Sequence, residues 1–173
     1  MEKTSWDISG SFERMGISHK PLRSIHTMKK HLVLMFVATL LTAMTLSVAQ
    51  AALITGLGDT CLDVPDGDTT DGTPVQIFHC HGSFNQQWNI VNGQIIGIGG
   101  KCLDVAGGST ADGTPVQLFT CHGGRNQRWR VASGRITGIG QKCLDVPDSN
   151  TADRTPLQIF TCHGRRNQRW SVR

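Results

Sequence analysis

The chain has 173 residues and a formal charge of +4; its residues 52–173 are enough for one small domain and too few for two ordinary ones. Residues 52–173 hold 11 Lys or Arg against 10 Asp and no Glu, so this segment is close to neutral. That balance gives no support to a nucleic-acid binder, which needs a concentrated basic surface, or to a glycosidase, which needs two carboxylates held across one bond.

In chain order, residues 1–27 show no periodicity and repeat nothing that follows. They read as a non-structural upstream extension, with Met28 as an alternative start. Residues 28–51 run MKKHLVLMFVATLLTAMTLSVAQA: two lysines, an apolar stretch from Leu32 to Val48, then Ala49 and Ala51 one residue apart. This is the pattern of a secretory signal peptide with its cleavage site, and it predicts an extracellular, secreted protein. A membrane anchor is the alternative, because Leu32–Val48 approaches the shortest span; the cleavage site favours removal, leaving no stable membrane span.

Residues 52–173 then form one domain of three units, 55–95, 96–136 and 137–173, in which the same block recurs every 41 residues. The blocks CLDVPDGDTTDGTPVQIFHCHGSFNQQW, CLDVAGGSTADGTPVQLFTCHGGRNQRW and CLDVPDSNTADRTPLQIFTCHGRRNQRW align without a gap. Each unit predicts four short strands: TGLG before the block, CLDV, PVQIF, and WNI or its counterparts WRV and WSV, separated by Asp, Gly, Thr, Asn and Pro. No window sustains a helical stripe. A unit of this size cannot bury its apolar face alone, and three copies without an atypical cap predict closure around a threefold axis. The fold class expected is all-β, a β-trefoil with pseudo-threefold symmetry. Leu62, Val64, Val75, Ile77, Trp88 and Ile90, with their equivalents, are the candidate core. The glycine pairs at 56 and 58, 97 and 99, and 138 and 140 suit tight turns or close strand approach. Trp88, Trp129 and Trp170 are read as scaffold, with the indole N–H bonded to backbone.

All six cysteines fall in this domain, one pair per unit. In an oxidising compartment the simplest of the 15 possible pairings is local: Cys61 with Cys80, Cys102 with Cys121 and Cys143 with Cys162. His79 and His81 flank Cys80 as a metal set would, but a cysteine in a disulfide is no thiolate, so neither metal nor cofactor is expected. The arginines at 165, 166, 169 and 173 are read as a solvated face, with no nucleic-acid partner.

The CLDV block, the QxF before the second cysteine and the threefold NQxW together resemble the ricin B-type lectin domain, classed also with xylan- and galactose-binding modules of bacterial glycosidases. The resemblance spans residues 53–173 and implies a non-catalytic carbohydrate binder with up to three shallow sites. The first would use Asp63, Phe78, His81, Asn85 and Gln86; the second Asp104, Phe119, His122, Asn126 and Gln127; the third Asp145, Phe160, His163, Asn167 and Gln168. By the same resemblance the aspartate takes two sugar hydroxyls, the aromatic stacks on the ring, the asparagine adds a hydrogen bond and the glutamine props the aspartate. The residue types fit that chemistry, because a sugar offers vicinal hydroxyls that both donate and accept and one apolar ring face.

Three features depart from the family pattern. Phenylalanine stands where Trp or Tyr is usual, which keeps stacking with less area and no polar handle. Arg154 replaces Gly72 and Gly113 of the other copies, so the third loop gains a charge and the third site is expected to differ. His79 is matched by Thr120 and Thr161. Two bland readings stand beside the functional one: the aspartates as turn formers and the phenylalanines as core. Partners expected are polysaccharide or glycoconjugate glycans and a separately encoded enzyme or toxin subunit. The alternative function is a protein-interaction, inhibitor or toxin-targeting trefoil. The lectin reading predicts that changing Asp63, Asp104 and Asp145 together to Asn removes sugar retention with the fold intact.

Overall fold

The structure is a computed structural model that describes residues 51–173; the upstream extension, and all but the last residue of the expected signal, lie outside the described residues. The described residues form fourteen short strands. The first unit and its lead-in hold β1 (Ala52–Thr55), β2 (Thr60–Asp63), β3 (Thr73–Pro74), β4 (Gln76–His79) and β5 (Gln87–Val91). The second holds β6 (Gln94–Ile96), β7 (Cys102–Val105), β8 (Thr114–Phe119) and β9 (Arg130–Ala132). The third holds β10 (Arg135–Thr137), β11 (Cys143–Asp145), β12 (Thr155–Pro156), β13 (Gln158–Phe160) and β14 (Ser171–Val172). Twelve strands become fourteen because the PVQIF strand, continuous as β8, is interrupted at Val75 and Leu157 in the other two units. All pairings are antiparallel and join the strands into one sheet path, the β-trefoil expected.

Two expectations need correction. TGLG is no strand: pairing ends at Thr55, and Leu57–Asp59 form a 3-10 turn, as do Ile98–Gly100 and Ile139–Gln141. Gly58, Gly99 and Gly140 take φ of 70°, 68° and 65° there, a left-handed conformation that ends a strand. Ile90 is also outside the core, with Val131 and Val172 alongside it among the exposed large apolar residues. In the β5–β6 hairpin Ile90 pairs with Ile95, and Ile95 is the one that is buried.

The core is a threefold set centred on Leu62, Val64, Val75, Ile77 and Trp88 with their counterparts. The indole N–H of Trp88, Trp129 and Trp170 donates to the carbonyl oxygens of Leu62, Leu103 and Leu144 at 3.0, 2.9 and 3.0 Å, so each ring is buried without an orphaned donor. The rings lie flat against Gly97, Gly138 and Gly56: a Cβ at Gly56 would stand 2.5 Å from the Trp170 ring. Close approach, not turn geometry, therefore selects glycine at that position.

The ring closes through its ends. β1 pairs with both β5 and β14, and Leu53 and Arg173 exchange backbone hydrogen bonds at 2.9 and 3.0 Å. Each PVQIF strand also pairs with the next unit, β3 with β8, β8 with β13 and β12 with β4, so every long loop leans over its neighbour.

Candidate functional site

Each unit gathers the same side chains where β2, β7 or β11 ends, and in the first and third units they line a cleft. The disulfides Cys61–Cys80, Cys102–Cys121 and Cys143–Cys162 are formed as expected. They fasten the start of that strand to the segment that follows the aromatic residue, while the 3-10 turn at Phe84–Gln86 and its equivalents brings NQ back against the aspartate.

The carboxylates are less open than the sequence suggests. Asp63, Asp104 and Asp145 are each at most 2% exposed. In the first unit Asp63 Oδ1 accepts from Gln76 Nε2 at 2.8 Å, and Oδ2 accepts from Asn85 Nδ2 at 2.9 Å and Gln86 Nε2 at 3.0 Å. The same three bonds recur on Asp104 from Gln117, Asn126 and Gln127, and on Asp145 from Gln158, Asn167 and Gln168. Neither turn formation nor exposure describes these aspartates; each is a buried anion held by amides, the arrangement that makes a buried charge tolerable. Gln76, Gln117 and Gln158 carry no role in the sequence reading, although the recurrent QxF contains them. A glutamine in a strand reads as a solvent-face residue until its partner is known.

Gln86 is wholly buried: its Oε1 accepts from the backbone N–H of His81 and Gly82, and its Nε2 also donates to the carbonyl of His79. It and its counterparts Gln127 and Gln168 prop the site without reaching the cleft. Each cleft histidine accepts a backbone N–H at Nδ1, from Ser83 to His81, Gly124 to His122 and Arg165 to His163, at 3.2–3.3 Å. That leaves Nε2 as the protonated nitrogen, 3.5–3.6 Å from the carboxylate. Phe78, Phe119 and Phe160 are half-buried beside their histidines, not part of the core.

The first cleft, about 310 Å³, is lined by Asp63, Gln76, Phe78, His81 and Asn85 with Asp66, Phe84 and Arg154 at its edge. The third, about 300 Å³, is lined by Asp145, Gln158, Phe160, His163 and Asn167 with Asp148, Ser149 and Arg165. In the third, Asn167 Oδ1 is buried without a hydrogen-bond partner among the described residues. Phe84 is 68% exposed where the other units have Arg125 and Arg166, an additional aromatic that a motif search centred on QxF and NQxW overlooks.

Arg154 sits in the wrong cleft for the sequence expectation. Because β12 pairs with β4, its loop crosses to the first unit, placing the guanidinium 5.9 Å from the Phe78 ring centre and 3.5 Å from Asp66 Oδ1. Arg154 thus charges the first site and not the third, whose own added cation is Arg165. The same handover builds the seams between units. Asp71 accepts from Thr120 N–H and Oγ1 and from Lys101 Nζ; Asp112 does the same with Thr161 and Lys142. At the third seam Asp153 instead meets His79, through N–H at 2.7 Å and Nδ1 at 2.8 Å. The Lys101, Lys142 and His79 donors, respectively, hold the carboxyls of Asp71, Asp112 and Asp153 below their ordinary range.

A family model of the ricin-type β-trefoil lectin domain matches residues 49–170. The chain belongs to this family. As a lectin domain it is a carbohydrate binder and not an enzyme. Its fold is shared with the designed threefold-symmetric protein ThreeFoil, at 29% identity and a TM-score of 0.66 over 70% of this chain and 96% of that one. It is similar to an exo-β-1,3-galactanase from Clostridium thermocellum, at 27% identity and a TM-score of 0.66 over 73% of this chain and 30% of that one. It is also similar to a non-toxic homologue of type II RIPs from Momordica charantia, in complex with α-methyl-D-galactoside, at 27% identity and a TM-score of 0.64 over 71% and 47% of the respective chains. The lectin domain thus spans less than half of those two natural proteins. Among the described residues no helix is long and apolar enough to cross a membrane.

Proposed function

We propose that the protein is a secreted lectin that holds galactose- or xylose/arabinose-containing glycans in up to three clefts, alone or as the targeting partner of a separately encoded enzyme or toxin subunit. The observation that carries this reading is the threefold recurrence of one buried, amide-held carboxylate beside a half-buried phenylalanine. A carboxylate offers roughly four acceptor positions. Three are filled by amides, leaving about one for a sugar hydroxyl, with Asn Oδ1 as the neighbouring acceptor. The galactoside bound by the Momordica protein supports the galactose side of the choice. An affinity near 1 mM per cleft, equivalent to about −4 kcal/mol, is the expected outcome of a single-site titration, and multivalent engagement of a polymer multiplies it by about 10² to 10⁴ where the spacing fits.

The Asp-to-Asn test suggested by the sequence is a poor one, since the new amide NH₂ would face donors from glutamine and asparagine and destabilise each site by about 1–3 kcal/mol. Phe78→Ala, Phe119→Ala and Phe160→Ala remove the platform and leave the carboxylate network in place. Each single change is expected to weaken retention on immobilised galactosides or xylan, and the triple variant to lose it at least tenfold with an unchanged circular-dichroism spectrum. Undiminished retention by the folded triple variant, or failure of free galactose, xylose and arabinose all to compete, would overturn the reading.

A further inference from the structure

Away from the three clefts, the β9–β10 hairpin carries chemistry that its counterparts lack. Thr137 pairs with Arg130, Ile136 with Val131 and Arg135 with Ala132. Strand alternation therefore puts Arg130, Ala132, Arg135 and Thr137 on one face and the buried Ile136 on the other. Arg130 and Arg135 occupy diagonal cross-strand positions, about 7–8 Å apart at Cα. They border a groove of about 280 Å³, completed by Ser133, Thr137, Gln141 and the Cys143–Cys162 disulfide.

No carboxylate lines this groove, and among the described residues neither arginine has an acidic group within salt-bridge distance. Neither arginine is therefore neutralised within the hairpin, and the diagonal pair presents two like charges on one face. The equivalent positions are Asn89 and Gln94 in the first unit and Ser171 and Leu53 in the lead-in and third, so the pair is no requirement of the fold. Gln141 also lines a second groove of about 280 Å³ with Arg125 and Arg128. Of these, Arg128 spends one N–H on the carbonyl of Asn92 at 2.8 Å and keeps the rest of its guanidinium for other partners. The two grooves meet at Gln141 and present four guanidiniums in sequence.

We propose that this track is a second binding site, distinct from the lectin clefts, for the anionic groups of an acidic polysaccharide, sulfate esters or uronate carboxylates. The guanidinium fork matches either anion in a bidentate pair, and the Ser133, Thr137 and Gln141 side chains supply further donors. A chain with regularly spaced anions engages both grooves at once, which a single small anion does not. The choice of a polysaccharide rests on the lectin reading; the anion site itself does not.

The test uses the disulfide-bonded protein and three immobilised polymers: dextran sulfate, polygalacturonate and neutral dextran. Arg130→Asn with Arg135→Gln installs the residues that the first unit already carries. The control, Arg169→Gln with Arg173→Ala, removes the same charge elsewhere with residues that other units carry. Retention on one or both acidic polymers, decreasing with salt, is expected to fall at least tenfold in the first pair and less than twofold in the control. Which acidic polymer is retained tells sulfate from carboxylate. Galactoside or xylan retention is expected to be equal in both pairs, and the Phe78, Phe119 and Phe160 triple variant is expected to keep its grip on the acidic polymer, so the two sites fail separately. Equal loss in the two arginine pairs, equal retention on neutral dextran, or tighter retention on polyuridylate than on either acidic polysaccharide would overturn the proposal.

Discussion

At the scale of single residues, the clefts depend on amides that saturate a buried aspartate. Arg154 shows how one side chain modulates such a cleft. It holds φ at 69° where the other units have Gly72 and Gly113, a left-handed conformation that costs a branched-at-Cβ or long side chain roughly 1–2 kcal/mol relative to glycine. Its exposed contacts with Asp66 and Phe78 return little of that. Arg154→Gly is therefore expected to stabilise the domain by about 1 kcal/mol in urea denaturation and to change sugar preference at the first cleft alone, read by resonance shifts of ligand-contacting groups there. The aspartate, aromatic and asparagine were legible in the sequence because their chemistry recurs with the repeat. Gln76 was not, since its partner lies on a neighbouring strand, and Arg154 was misplaced because a repeat period says what recurs but not which neighbour a loop leans upon.

At the scale of elements, the strands are too short to be stable alone; each relies on cross-strand pairing, a tryptophan seated on a glycine, and a disulfide. The cysteine pairing and three of the four strands predicted per unit were legible from spacing and punctuation. The turn was legible in the glycine pairs at 56 and 58 and their equivalents, although TGLG also reads as a strand; the break in PVQIF was not legible, because alternation marks which face a residue takes and not where pairing stops. The loop closed by Cys102 and Cys121 has a separation of 19 residues, for which chain entropy gives about 3 kcal/mol. Replacing both with Ala is expected to lower unfolding free energy by about that amount. It should also weaken the second cleft more than the other two, measured by titrating single-cleft variants with sugar.

At the scale of the molecule, three seams join the units, and all three pair an aspartate with donors from the next unit. Asp71, Asp112 and Asp153 sit below their ordinary value of 3.8. Their contribution to stability is thus fully present above about pH 5 and is lost as pH falls past the ordinary value and through the lowered native ones. Thermal melts between pH 2 and pH 6 are expected to show a modest seam-dependent decline below about pH 4, and Asp71→Asn, Asp112→Asn and Asp153→Asn combined to reduce that decline while slightly lowering the plateau. The third seam differs from the others in sequence span as well as chemistry. The β1–β14 pairing, the Trp170 ring on Gly56 and the His79–Asp153 contact all join residues far apart in sequence. The first two seams join units adjacent in sequence, whereas this one brings the two ends of the domain together. Until β14 arrives, Ile54 and Thr55 of β1 lack one cross-strand neighbour, so closing the ring carries the largest loop-entropy cost of the three joints.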